Sequence, residues 1–249
     1  MSELRLLTDR LDPPALDTAA STAILRRVAA REIGPTLRLF VPARAVAFGS
    51  QDRTRPGYAD AVRAAEDLGF AAVERLAGGR AAVFHEGTIA FAWATPHDDP
   101  KRGIETRFAA LADIVVAALD DLGVTTAVGE VPGEYCPGRF SVHSEGRKIM
   151  GVGQRLVRGA AHVGGVVVVH SPEVVNKPLI PAYRSLGYDW NPEATGAVGD
   201  SIEATVDTVI AALVEAFRAS GRQPSPARWS PATLDLAAGL AAQHTPQIA

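Results

Sequence analysis

Cysteine is almost absent: Cys136 is the single one among 249 residues. No intrachain disulfide framework can form, which fits a reducing, cytoplasmic setting where a free thiol persists. The formal charge is -3 and no long basic run stands out, which argues against a general nucleic-acid binder. The longest strongly apolar run, 163–169, falls far short of the roughly 20 residues a membrane helix requires. The amino terminus shows no basic region followed by a secretory hydrophobic stretch. Histidine and acidic residues fall in no metal-ligand spacing, His97-Asp98-Asp99 being merely adjacent, so no metal is assigned. No internal repeat is visible.

What is present suits a large packed core: 47% of the residues are hydrophobic, enough for one large domain with a small appendage. Apolar residues recur at helical spacing at Leu16, Ala20, Ala23, Ile24 and Val28, and again from Phe108 through Leu111, Val115 and Leu119 to Leu122. These predict helices over 16–28 and 104–122, with shorter ones over 58–68 and 234–242. Ser201 to Ala219 reads as a further helix, with Asp200 and Glu203 at capping-box spacing. Strands are expected over 36–41, 71–75 and 88–94, which places Gly78-Gly79 on a turn between strands, and throughout 124–169. The composition turns Pro-rich after Gly221, where regular structure is disfavoured. The reading is therefore a domain over 1–221 and a carboxyl-terminal tail over 222–249. The mixed order of elements indicates an α/β (α+β) fold, a mixed sheet flanked by helices.

Chemistry gathers around the cysteine. Cys136 sits in Gly133-Glu134-Tyr135-Cys136-Pro137-Gly138, twelve residues before Lys148 in Gly146-Arg147-Lys148-Ile149-Met150-Gly151-Val152-Gly153-Gln154-Arg155. A thiolate is the effective nucleophile for acyl transfer, and a nearby ammonium group favours it and polarises the acyl carbonyl. The bland alternatives are a space-filling buried cysteine and an ordinary hairpin-turn charge, and Lys148 is expected to stand exposed on a strand. Both weaken because Pro137-Gly138 and the Gly151 and Gly153 pair bring conformationally special backbone beside each reactive group. His85 and His162 read equally well as substrate-site residues or as hydrogen-bonded histidines at strand ends.

The segment from Tyr135 to Gly165, with Tyr-Cys-Pro-Gly, Gly-Arg-Lys-Ile, Gly-Val-Gly-Gln-Arg and then His162-Val163-Gly164-Gly165, resembles the lipoate-protein ligase A and octanoyl/lipoyl transferase family. Upstream, Arg75-Leu76-Ala77-Gly78-Gly79-Arg80-Ala81-Ala82-Val83-Phe84-His85 is similar to that family's Arg-Arg-x-Thr/Ser-Gly-Gly-Gly/Arg-Ala-Val-x-His signature. Glu74 replaces the first arginine, Ala77 the Thr or Ser, and the stretch is one residue longer. The resemblance implies the biotin/lipoate-protein ligase type of catalytic domain. It implies Cys136 and Lys148 as catalytic residues, with Arg75, Gly78, Gly79, Arg80, His85, Gly151, Gly153, Gln154, His162, Gly164 and Gly165 around the substrate. The small residues Gly151, Gly153, Gly164 and Gly165 are expected to leave room for the methylenes of an acyl tail.

Tyr-Cys-Pro-Gly resembles the cysteine-using amidotransferase branch. It implies movement of an octanoyl or lipoyl group through a Cys136 thioester to a lysine of a lipoyl domain or glycine-cleavage H protein, with acyl carrier protein as a further donor. No cofactor is then required. Two other readings stay open: an ATP- and magnesium-dependent lipoate-protein ligase or its catalytic subunit, and a noncatalytic acyl-carrier-binding protein. Cys136 favours the first reading. The 28 residues after Gly221 are too few for the accessory domain many ligases carry, and that counts against the second.

Overall fold

The structure is a computed structural model that describes residues 2–248. The first half of the chain runs β1 (Ser2–Leu7), α1 (Pro14–Ala29), β2 (Thr36–Phe40), β3 (Ala45–Phe48), α2 (Ser50–Arg53), α3 (Tyr58–Asp67), β4 (Ala71–Glu74), β5 (Ala82–Phe84) and β6 (Thr88–Pro96). The rest runs α4 (Ile104–Asp121), β7 (Ala127–Val128), β8 (Val142–Ser144), β9 (Arg147–Val157), β10 (Ala160–Val168), α5 (Pro172–Leu186), α6 (Val206–Ala219), β11 (Arg222–Pro226) and α7 (Pro231–Leu240). Eight strands form a mixed sheet in the order β11-β1-β2-β6-β10-β9-β8-β7, and three form a smaller sheet in the order β4-β3-β5.

Burial on both faces explains the strand sequences. On one face of the large sheet, Leu111, Val115 and Leu119 of α4 and Val209, Leu213 and Phe217 of α6 pack over Leu37, Leu39, Phe91, Trp93 and Val163. On the other lie α1 and the small sheet, so β10 is buried at every position but Gly165. Such a strand loses the polar-apolar alternation of a half-exposed one. Register places Arg38, Ala92, Gly164 and Gly153 opposite one another in neighbouring strands, and likewise Phe40, Ala90, Val166 and Gly151. The alanines and glycines in these rows leave a trough between the two sheets.

The helices over 14–29, 58–67 and 104–121 and the strands over 36–40 and 71–74 stand where periodicity put them, within a residue or two. Four features differ. Gly78 and Gly79 do lie between strands, but the strand that follows them is β5 and not the one expected over 88–94, and β4 and β5 both pair with β3 instead of with each other. The loop between them is a crossover over the small sheet. α6 starts at Val206, where the Thr205 hydroxyl accepts the Thr208 amide at 3.1 Å. Asp200 instead accepts the Ala197 amide at 2.8 Å and pairs with Arg147 at 2.9 Å.

The Pro-rich stretch after Gly221 forms β11, parallel to β1 with Leu4 opposite Pro224 and Leu6 opposite Pro226. An edge strand tolerates proline because its missing N–H faces away from the sheet. Finally, α5 occupies a region where periodicity marked nothing, since Pro172, Pro178 and Pro181 mask it. Pro172 sits at the first helical turn, where proline is favoured. The interior prolines remove helix hydrogen bonds, and burial of Val175, Leu179, Ala182 and Tyr183 holds the helix in place.

Candidate active site

Cys136 lies in the irregular segment between β7 and β8, half-buried, with a left-handed backbone at φ +43°. A non-glycine residue there is strained by about 1–3 kcal/mol and must be held by its surroundings. Three side chains hold it. Lys148 Nζ donates to the carbonyl oxygens of Tyr135 at 2.9 Å and Cys136 at 2.8 Å. The Tyr183 hydroxyl accepts the Cys136 amide at 2.9 Å and donates to the Ala81 carbonyl at 2.9 Å. Glu134 Oε1 accepts from the Gly138 amide and the Ser141 hydroxyl, each at 2.8 Å, and stands 3.5 Å from Lys148 Nζ.

The sulfur faces the loop that joins β4 to β5. The Arg80 amide donates to Sγ at 3.2 Å, and Arg75 Nη1 approaches it at 3.6 Å. Arg75 also donates to the carbonyls of Arg80, at 2.7 Å, and Gly78, so its guanidinium staples the loop shut under the thiol. Gly79 has φ +109°, and a Cβ there would sit 2.8 Å from Cys136 Sγ. Only glycine meets both demands.

Burial pushes the Cys136 thiol up, but the charges of Arg75 and Lys148 and the hydrogen bonds from Arg75 and the Arg80 amide outweigh it. The thiol therefore ionises below its ordinary range. Burial lowers the Lys148 pKa, and the thiolate and Glu134 only partly restore it. Lys148 is 1% exposed. That corrects the expectation of an exposed strand lysine: its position on β9 faces the trough, and its charge is matched by Glu134 and two carbonyls.

A cavity of about 120 Å³ opens beside the pair. It is lined by Cys136, Lys148 and Arg75 and walled by apolar residues including Phe40, Ala45, Phe84, Ala90, Ala92 and Val166. Gly151, His162, Gly164 and Gly165 also line it. Burial and the positive charges of Arg38 and Arg75 lower the His162 pKa to about 4, so its imidazole is neutral near pH 7.

The glycines act less as floor space than as gaps for neighbours. A Cβ on Gly164 would come 2.4 Å from His162 Nε2, one on Gly165 would come 1.9 Å from the Gly151 carbonyl oxygen, and one on Gly151 would meet Lys148 Cε at 3.1 Å. Gly153 does not line the cavity; its missing side chain makes room for Arg75 Nη2 and the Gly78 carbonyl, both 2.9 Å from a built Cβ.

Gln154 also lies outside the cavity wall. It accepts from Arg107 Nε at 3.1 Å, donates to the Ile104 carbonyl at 2.7 Å, and receives the Gly78 amide on its own carbonyl at 3.3 Å. His85 is buried away from the cavity, where its Nδ1 accepts the Gly87 amide at 3.0 Å and shapes the turn into β6. Sequence reading missed Tyr183 and Glu134. Glu134 carried one signal, its place two residues before Cys136; Tyr183, 47 residues downstream, carried none.

Among the described residues no group of three or more His, Cys, Asp or Glu could hold a metal ion, and no helix is long and apolar enough to cross a membrane. The family model described as the lipoyl protein ligase A/B catalytic domain matches residues 13–218. An octanoyl-[GcvH]:protein N-octanoyltransferase of Anoxybacillus flavithermus is 28% identical over 228 residues, covering 86% of this chain and 82% of that protein. A lipoyl-[GcvH]:protein N-lipoyltransferase of Listeria monocytogenes is 25% identical over 205 residues, covering 75% and 72%. A lipoate-protein ligase A solved with bound ATP has the same fold, with a TM-score of 0.75 at 21% identity over 97% of this chain and 94% of that one.

Proposed function

Because the chain belongs to the lipoyl protein ligase A/B catalytic-domain family, we propose that it moves an octanoyl or lipoyl group between protein lysines through a thioester on Cys136. One observation carries this reading: the lone thiol stands at an apolar cavity with its ionised form favoured by Arg75, Lys148 and the Arg80 amide. A cysteine that only filled space would have no cationic partners.

The Cys136 thiolate attacks the carbonyl carbon of an acyl-lysine amide. The C–N bond breaks, the departing amine takes a proton that Lys148 supplies, and the acyl group remains as a thioester. In the second half an incoming lysine amine attacks the thioester carbon and the C–S bond breaks. The amine's surplus proton returns to Lys148 and the thiolate is restored. One amide replaces another, so the cycle balances without ATP or magnesium. Arg75 and Lys148 offset the negative charge that develops on the carbonyl oxygen. Each methylene buried in the apolar cavity contributes roughly 0.8 kcal/mol, so an eight-carbon tail binds without polar contacts.

The relatives' names point to glycine-cleavage H protein as one party to the transfer, and a lipoyl domain serves as the other. The test is intact-mass analysis of an apo-lipoyl domain incubated with the protein and octanoyl-H protein, octanoyl carrier protein, or octanoate with ATP and magnesium. The reading expects transfer from octanoyl-H protein, a hydroxylamine-sensitive adduct on the enzyme, and no transfer by Cys136→Ala. Undiminished transfer by Cys136→Ala from octanoate and ATP overturns it in favour of a ligase.

A further inference from the structure

The acyl cavity runs across one face of the large sheet and has two ends. From Lys148 and Gly151 on β9 it crosses Gly164 and Val166 on β10 and Ala90 and Ala92 on β6 to Phe40 on β2. Three strand spacings span roughly 14 Å, room for an extended eight-carbon chain. At the β2 end Asp17, Thr18 and Ser21 of α1 close it.

Those α1 side chains are held from behind. Arg38 of β2, 1% exposed, donates to the Asp17 carbonyl and the Ser21 hydroxyl, each at 2.9 Å, and pairs with the Asp17 carboxylate at 2.5 Å. Its guanidinium lies 4.1 Å from the centre of the Phe40 ring and 4.9 Å from that of Trp229. Trp229 comes from beyond residue 218, where the family match stops.

A second set of contacts joins the same segment to α1. Arg27 Nη1 donates to the Ser230 and Thr233 hydroxyls at 2.7 and 2.6 Å. Ala237 and Leu240 of α7 pack on Ala19, Ala20 and Ala23. His244 is buried between the Glu74 carbonyl, 2.7 Å from Nδ1, and the Thr22 hydroxyl, 2.9 Å from Nε2. A carbonyl can only accept, so Nδ1 carries the proton and Nε2 accepts from Thr22. His244 thereby ties α1 to the small sheet that forms the cavity's other wall.

From these two sets of contacts, and resting on the cavity's being the acyl slot, we propose that residues 222–248 set the acyl chain length the enzyme accepts. They clamp α1 so that Asp17 and Ser21 stop the chain at the β2 end. In an unstopped slot each added methylene tightens binding roughly fourfold; a stop turns that gain into a clash.

The experiment uses the full chain with free fatty acids of six to fourteen carbons, binding measured by calorimetry, and with H protein carrying acyl groups of the same lengths. Wild-type affinity should climb with length to a limit and then fall. Trp229→Leu and His244→Gln should move that limit by two carbons or more, whereas Ser21→Leu, which fills the end, should shorten it. An unchanged limit in both Trp229→Leu and His244→Gln, or an equal loss at every length, overturns the proposal. Should Trp229→Leu fail to fold, His244→Gln decides. Wild-type transfer without any length limit refutes the gauge alone; neither binding nor transfer at any length refutes the acyl-slot reading with it.

Discussion

Lys148 donates to the carbonyl oxygen of Cys136 at 2.8 Å, so the ammonium group grips the backbone of the cysteine as well as acting on its charge. Its other near partners are the Tyr135 carbonyl and the Glu134 carboxylate. Lys148→Met therefore leaves a buried carboxylate and two carbonyls without their cation. The expected cost is about 3–5 kcal/mol of stability, along with loss of transfer. Chemical denaturation checks this, and the double variant Lys148→Met with Glu134→Gln should recover part of the stability but none of the activity.

Arg75 is the larger of the two charges that favour the Cys136 thiolate. Arg75→Met should raise the thiol pKa, because the nearest positive charge and a hydrogen-bond donor to the thiolate are removed. The pH dependence of iodoacetamide alkylation, read by mass, measures the midpoint directly. An unmoved midpoint means that Lys148 and the Arg80 amide suffice.

His162 and His85 are both buried with their pKa lowered to about 4, chiefly by burial. In the unfolded chain each titrates near 6.5. Between those values the unfolded state binds more protons, so the stability tied to the neutral rings is complete above pH 6.5 and is lost as pH falls toward 4. Replacing one of them, as in His162→Leu, should shrink the difference in unfolding free energy between pH 7 and pH 4.5 by about 2–3 kcal/mol. Urea melts at the two pH values give that difference.

Gly153→Val places its first carbon 2.9 Å from both Arg75 Nη2 and the Gly78 carbonyl oxygen. It should displace the loop under the thiol and lower kcat by the same factor for every acyl length. A loss confined to long chains would instead put Gly153 in the slot.

Tyr183→Phe removes the hydroxyl that links the Cys136 amide to the Ala81 carbonyl. Two buried groups lose their partner, at about 1–3 kcal/mol each, and the left-handed backbone at Cys136 loses a support. Transfer should fall with little change in KM, as steady-state kinetics with octanoyl-H protein would show.

The sequence by itself determined what depends on near neighbours along the chain. Apolar spacing placed α1, α3 and α4, because one buried face imposes a helical repeat whatever the partner. The run around Cys136 and the nearby Lys148 marked the candidate site, because a thiol and an ammonium group carry their reactivity with them. Tertiary structure alone decided the rest. It buried Lys148 and gave it Glu134, brought Tyr183 from α5 to the Cys136 amide, and set His85, Gly153 and Gln154 outside the cavity. It also made a strand of the Pro-rich segment after Gly221, since the edge of a sheet forgives a missing N–H. Strands covered on both faces lose their alternation, and contacts between residues far apart in the chain leave no periodic trace. Only the packing of α1 and the two sheets shows that a cavity exists and which residues line it.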